Sequence, residues 1–245
     1  MINLKDKNVL ITGATGDIGI STVKKVFETN ANICISGTNK EKLNNLSNQY
    51  QNKLKVISCD LSDLTKVKNL AKEAKDIMGG IDILINNAGI TRDNLFLRLK
   101  DQDWFDVLNI NLEASRILIK EVIRDMIKKR WGRIVNISSV VAVTGNPGQS
   151  NYVTSKSALI GLSKVLALEL ASRGITVNSV APGFIQSKMT EKLNDEQKKI
   201  ILDNIPMKRM GNPDDVSSII SFLISHDANY ITGQTFHVNG GLAMI

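Results

Sequence analysis

The sequence predicts an α/β fold: one doubly wound domain, with about seven parallel strands and helices on both faces of the sheet. Three observations predict it. Short β-branched runs alternate with longer helical patterns along the 245 residues. Those runs are apolar on both sides, as strands covered on two faces must be. A glycine-rich turn follows the first of them, and right-handed crossovers then wind the sheet in both directions.

Taken in order, the strands are Val9 to Thr12, Ile33 to Ser36, Leu54 to Ser58, Ile83 to Asn86, Ile134 to Ile137, Thr176 to Val180 and Thr235 to Val238. A helical pattern runs from the glycine turn through Thr29. Apolar residues three and four apart mark further helices over Leu64 to Met78 and Tyr152 to Ala171. The stretch from Pro182 to Pro213 interrupts the alternation. There Gly183, Pro206 and Gly211 surround an amphipathic piece, Glu191 to Ile205. Long insertions in compact domains are commonly lids, so about 183–212 is expected to cover a substrate; a plain surface excursion is the alternative.

Composition removes several classes. Hydrophobic residues make up 42% and charged residues 22%, with 4 Pro, which excludes disordered, collagenous and coiled-coil chains. Two histidines, His226 and His237, exclude a histidine-rich metal centre, and no metal is expected. Cys34 and Cys59 read as buried thiols of a reducing compartment. No apolar run approaches the roughly 18 residues of a membrane span, and because the first eight residues are polar and lead directly into a strand no signal peptide is expected in them. A cytoplasmic protein is expected, or the mature form of one imported into an organelle. Net charge is +7; with 4% aromatic residues and no Arg–aromatic interleaving, base-stacking modules find no support and nucleic acid is not the expected partner.

The first strand ends Thr12-Gly13-Ala14-Thr15-Gly16-Asp17-Ile18-Gly19. Glycines there permit a tight turn and close approach of a pyrophosphate to the positive end of the next helix. After a strand and before a helix, this pattern predicts dinucleotide binding by Gly13, Thr15, Gly16, Asp17, Ile18 and Gly19. Strand two closes Ser36-Gly37-Thr38-Asn39-Lys40 with no acid before Glu41. An acid there would hold a ribose 2′-hydroxyl and repel a 2′-phosphate. Thr38 and its neighbours suit the phosphate, so NADPH is favoured over NADH. Asp60, with Leu61 beside it, either meets the adenine ring or caps the following helix.

Ser139, Tyr152 and Lys156 form the candidate catalytic set. Tyr152 and Lys156 are four apart at the start of a helix and share a face. A free phenol has a pKa near 10, and a cation one turn away is expected to lower it into a usable acid/base range. Ser139 closes strand five, at the carboxyl edge where such sheets place ligands, and its hydroxyl suits a substrate carbonyl. Each of these residues alone is also an ordinary surface or helix group.

Together the glycine turn, Asn86-Asn87-Ala88-Gly89, Asn111, Ser139, Tyr152, Lys156 and Pro182-Gly183 resemble the short-chain dehydrogenase/reductase family in order and spacing, over essentially the whole chain. The stretches NNAGITRDN from Asn86, RGITVNSVAPGF from Arg173 and YITGQTFHVNGG from Tyr230 resemble its bacterial-type subgroup of 3-oxoacyl-[acyl-carrier-protein] reductases. The resemblance implies a single Rossmann-type domain over 1–245, NADPH as cofactor and reduction of a 3-oxoacyl thioester. Another 3-hydroxyacyl thioester, a sugar or an alcohol is the rival substrate, and a catalytically silent dinucleotide-binding scaffold the rival class.

It also implies roles. Tyr152 donates a proton, Ser139 polarises the ketone oxygen, Lys156 holds the nicotinamide ribose, and Asn111 holds a relay water. Asn87, Ala88 and Gly89 line the adenosine side, while Pro182, Gly183 and Ile185 touch the nicotinamide; Asn86 and Asn87 also read as sheet-stabilising amides. A homotetramer is implied, as is docking of acyl carrier protein on Arg130 and Arg173; the neighbouring lysines are equally a solvated basic face. Small and apolar residues on several sides of the helix after Tyr152 (Ala158, Leu159, Leu162, Val165, Leu166) call for burial beyond the sheet.

Two departures stand out. The family turn T-G-x-x-x-G-x-G has Asp17 at its middle glycine; Asp tolerates left-handed backbone but puts a negative charge near a pyrophosphate, so weaker cofactor binding is expected. Ser187 and Lys188 stand where relatives carry Thr and Asp.

Overall fold

In the computed structural model, which describes residues 2–187 and 194–245, seven parallel strands form one sheet in the order β3-β2-β1-β4-β5-β6-β7. The strands are β1 (Asn8–Thr12), β2 (Asn32–Gly37), β3 (Lys55–Ser58), β4 (Ile83–Asn86), β5 (Gly132–Ile137), β6 (Ile175–Pro182) and β7 (Thr235–Val238). Every predicted strand is present, β4 and β7 with the predicted bounds and the others within two residues at their ends. Side-chain alternation explains the layers. Val9, Ile11, Ile33, Ile35, Ile83, Ile85 and Val135 face one way, onto α1 (Asp17–Phe27), α2 (Lys40–Gln49) and α9 (Pro213–Leu223). Leu10, Cys34, Leu84, Ile134 and Val177 face the other, onto α3 (Leu64–Met78), α5 (Ala114–Lys129) and α7 (Ser150–Leu170).

Local sequence sets the helix ends. Asp63 caps α3 by accepting from the amides of Thr65 (3.0 Å) and Lys66 (3.2 Å), and Gly79 closes it at φ 77°. Asn39 caps α2 through the Lys42 amide at 2.9 Å. Asn212 and Asp215 make a reciprocal capping box with Pro213 at the first position of α9. Cys34 and Cys59 are free and buried, and burial pushes their thiols up to about 12 and about 11.

Strand order reverses between β1 and β4, so their carboxyl ends diverge and leave a crevice, the usual ligand position in such sheets. Between β4 and α5 stand the short α4 (Asp101–Leu108) and one π-turn, Asn109–Glu113. The short helix α6 (Val141–Thr144) follows β5. Within the predicted lid the described part holds α8 (Asp195–Asn204), inside the amphipathic piece expected from Glu191. Position 188 and residues 191–193 lie outside the described residues. The base of this segment is pinned: Ile185 bridges Gly211, and the Met207 amide donates to the Gly240 carbonyl at 3.1 Å. Among the described residues no helix is long and apolar enough to cross a membrane.

Candidate active site

The glycine turn closes one end of the crevice, and its glycines answer to different constraints. Gly13 has φ +63°, and a Cβ there would stand 2.8 Å from the Ala88 Cα; both the backbone angle and the contact require glycine. A Cβ at Gly19, on the first turn of α1, would collide with the Gly13 carbonyl oxygen. Gly16 meets neither demand, with φ −80° and its nearest neighbour 3.6 Å away. Asp17 opens α1 and is not among the residues with positive φ. The tolerance of Asp for left-handed backbone is therefore not called on: Asp17 is a helix-start residue, where a carboxylate is favourable.

From this turn a groove of ≈ 640 Å³ runs along the carboxyl edge of the sheet. It is bordered by Gly13, Thr15, Gly16, Asp17, Ile18 and Gly19, by Thr38, by Asp60 and Leu61, and by Asn87, Ala88 and Gly89. Ser139, Tyr152, Lys156, Pro182, Gly183 and Ile185 border its other half. Among the predicted site residues only Asn111 does not reach it. Lys40, offered beside Thr38 for a phosphate, does not border the groove either. Asn146 and Gln149 do border it and were not singled out from the sequence.

Several alternatives left open by the sequence separate here. Asp60 does not cap α3, since Asp63 does; it accepts from the amide (3.0 Å) and hydroxyl (2.8 Å) of Ser62. The Ser62 amide, then its hydroxyl, holds the Asp60 carboxyl below the ordinary carboxylate range. Asn86 is a sheet amide, donating to Asn136 Oδ1 at 2.8 Å. Asn87 instead clasps the turn, donating to the carbonyls of Thr12 (3.1 Å) and Gly13 (3.0 Å). These residues fit a dinucleotide. Gly16 precedes α1 with no side chain over its backbone, the first turn of a helix offers amides to an anion, and the buried Ser36 Oγ beside the turn has no partner among the described residues.

Ser139 lies two residues past β5, a small correction to its predicted place at the strand end. Pairing with β6 persists there, with the Ser138 amide on the Val180 carbonyl (2.7 Å) and Val140 on Pro182 (2.8 Å). Side chains fasten the start of α7. Buried Asn151 donates to the carbonyls of Arg92 (3.0 Å) and Asp103 (3.2 Å), Ser157 to that of Ala142 (2.7 Å), and Ser138 to that of Lys156 (2.9 Å). Lys156 is fully enclosed and donates to the Ile137 carbonyl at 2.7 Å, with its Nζ 5.7 Å from the centre of the Tyr152 ring. A Cβ at Gly89 would stand 3.2 Å from that Nζ, so glycine makes the room for the ammonium.

The electrostatics correct one expectation. Burial raises the Tyr152 phenol above its ordinary value, the Ser139 hydrogen bond opposes this, and the Asp93 carboxylate raises it further. The same burial pulls Lys156 down to about 8. An acidified tyrosine was expected, and the direction is the reverse, because desolvation dominates both groups.

Asn111 sits in the π-turn, wholly buried. Its side chain donates to the Ile90 carbonyl (3.0 Å) and Ser155 Oγ (3.1 Å) and accepts from the Ile90 amide (2.8 Å). It ties the strap after β4 to α7. Arg130 and Arg173 are brought together, with Arg130 Nη2 donating to the Ser172 carbonyl at 2.9 Å. They precede β5 and β6, at the opposite sheet edge from Ser139. A six-residue strand separates the two edges, roughly 20 Å.

A family model described as enoyl-(acyl carrier protein) reductase matches residues 13–243. The chain is 49% identical over 245 residues to the nodulation protein G of Rhizobium sp. strain N33, covering all of both chains. It is 48% identical over 245 residues, again all of both, to the 3-oxoacyl-[acyl-carrier-protein] reductase FabG of Rickettsia prowazekii. Identity to the FabG of Haemophilus influenzae is 47% over 239 residues, 98% of this chain and 99% of that one. Likeness of that extent joins a glycine turn, a seven-stranded parallel sheet and a Ser–Tyr–Lys set on one groove, and the chain belongs to the short-chain dehydrogenase/reductase family.

Proposed function

We propose that this protein reduces 3-oxoacyl-[acyl-carrier-protein] to the 3-hydroxyacyl form with NADPH, the reduction step of fatty-acid elongation. One observation carries the reading: Ser139, Tyr152 and Lys156 share a single groove with the glycine turn. Full-length likeness to relatives named for this reaction supports the substrate. The nicotinamide cofactor comes with family membership; the choice of NADPH rests on the absence of an acid at the end of β2 and on Thr38 at the groove.

A dihydronicotinamide held in the groove would supply hydride to the ketone carbon. Everything at the oxygen falls to the chain. The Ser139 hydroxyl donates to the carbonyl oxygen and fixes its direction. Tyr152 Oη supplies the proton as negative charge develops there, and the burial that keeps this phenol protonated suits a donor at neutral pH. Lys156 Nζ has N–H groups beyond the one held by Ile137 to grip the nicotinamide ribose. With its ammonium drawn down to about 8, it is also poised to return a proton to Tyr152. Asn111 acts in the same reading at the relay, from behind Lys156. A ketone needs its own oxygen protonated, and two hydroxyls meet that demand.

The reading extends to a cover over 183–212, hinged at the Ile185–Gly211 bridge, and to a homotetramer. Val165 and Leu168, exposed on α7, and exposed Met244 and Ile245 favour burial against further copies. Carrier docking belongs at Arg130 and Arg173, whose charges would steer an acidic partner. The test is oxidation of NADPH against NADH with an acetoacetyl carrier thioester. Preferential NADPH oxidation with 3-hydroxyacyl product is the expected result; turnover of sugars or free alcohols without thioester turnover overturns the substrate.

A further inference from the structure

The helix α7 begins with an unsuitable residue. Its N-cap position is Gln149, whose side chain makes no capping hydrogen bond, although Ser, Thr, Asp or Asn is the preferred type there. A local rule broken without local gain marks a position selected for something else. The Gln149 amide is held from two sides. Its Nε2 donates to Asp93 Oδ2 at 2.9 Å, and its Oε1 accepts from Asn146 Nδ2 at 2.9 Å.

This pair of bonds fixes which end of the amide is which. A carboxylate only accepts, so nitrogen must face Asp93; the Asn146 nitrogen only donates, so oxygen must face Asn146. One N–H of Gln149 is then committed to Asp93, and no other described acceptor takes the second. Gln149 and Asn146 both border the groove with Ser139, Val141 and Tyr152. Tyr152 lies three residues along the same helix, so its side chain and that of Gln149 share a face.

A ketone held by Ser139 and Tyr152 needs no third donor. A 3-oxoacyl thioester brings a second carbonyl, separated from the first by one methylene. Desolvating that carbonyl without a partner weakens binding by about tenfold, and an amide N–H clamped at the mouth of the site supplies the partner. We infer that Gln149 is a specificity-determining residue whose free N–H hydrogen-bonds the thioester carbonyl, with Asp93 and Asn146 as the positioning residues that orient it. The inference rests on the reading of the substrate above and deepens it: the enzyme selects 1,3-dicarbonyl substrates over lone ketones.

The test compares two small competitors, an acetoacetyl thioester and its thioether counterpart, which keeps the ketone and replaces the thioester carbonyl by methylene. Inhibition constants are measured on the full enzyme with bound NADP⁺. Wild type is expected to prefer the thioester by about tenfold, from one hydrogen bond lost. Gln149→Leu removes the donor at similar size without removing a cap, and should bring the ratio near one. Asp93→Asn, which frees the amide to flip, should reduce the ratio by a smaller factor, a change of preference that a merely structural role would not produce. A Gln149→Leu ratio equal to wild type, or a wild type with no preference, overturns the assignment. Wild-type turnover of the thioester is scored separately. Its absence overturns the substrate reading and this inference together, whereas turnover with an unchanged ratio sinks the inference alone.

Discussion

Strand β5 has a buried cation at each end, and the two are treated in opposite ways. At its amino end Arg133 is 2% exposed and donates to the carbonyls of Gly132, Gly174 and Ser225 and to Asn229 Oδ1, with its guanidinium 4.5 Å from the centre of the Trp131 ring. At the carboxyl end Lys156 is 3% exposed and among the described residues donates to one acceptor, the Ile137 carbonyl. Burial lowers both, Arg133 to about 10 and Lys156 to about 8. A guanidinium bonded to four acceptors locks neighbouring turns together. An ammonium with donors to spare, in a groove, is a group kept ready for a ligand. The edge that stores stability and the edge proposed for chemistry thus differ in how completely their charges are satisfied.

The largest effect that would sharpen this contrast is at the catalytic edge. Tyr152→Phe should lower turnover by about 10⁴-fold with NADPH affinity retained by fluorescence titration; an active Phe variant would break the assignment. Next come the two cations themselves. Lys156→Met should lower turnover by about 10²-fold or more while leaving the urea midpoint unchanged or raised, since it removes a desolvated charge. Arg133→Ala should do the reverse, costing about 3 kcal/mol of stability by leaving buried acceptors unpaired, with turnover per folded molecule near wild type.

The pH dependence of stability follows from Lys156. Its folded pKa of about 8 lies below the 10.5 of the unfolded chain. Between these values the unfolded state binds more protons, so this group makes stability rise with pH from about 8 to 10.5. Below pH 8 its full cost is present. Urea unfolding across that window should show the rise in wild type and lose it in Lys156→Met.

At the amino edge, Arg130→Glu with Arg173→Glu should weaken reduction of carrier-bound substrate by about tenfold at low salt and spare a small thioester. Equal loss on both substrates would place these arginines outside docking. The smallest effect belongs to Asp17→Gly: removing the carboxylate from the phosphate end should tighten NADPH by about threefold.

Much of this was legible in order and spacing. The seven strands showed as β-branched runs, and the glycine turn, Ser139, Tyr152 and Lys156 were readable because each is a particular residue type at a fixed distance from an element end. What escaped depended on neighbours remote in sequence. Gln149 carries no signal in the sequence; what marks it is Asp93, 56 positions away, holding its amide. Asn111 stands out in the sequence by its order among the motifs, whereas its side-chain partners, Ile90 and Ser155, are set by the fold. The sign of the Tyr152 shift was misread from the Lys156 spacing, because a four-residue interval reports proximity and says nothing of desolvation.

Sequence alone determined the α/β alternation, the parallel sheet and the place of the glycine turn, since those follow from local periodicity and backbone sterics. Tertiary structure decided which polar groups are sealed from water and which carbonyls they meet. Burial is a property of the packed assembly of strands and helices, and it sets the protonation of Tyr152 and Lys156, the acceptors around Arg133 and the distance that parts Arg130 and Arg173 from the groove.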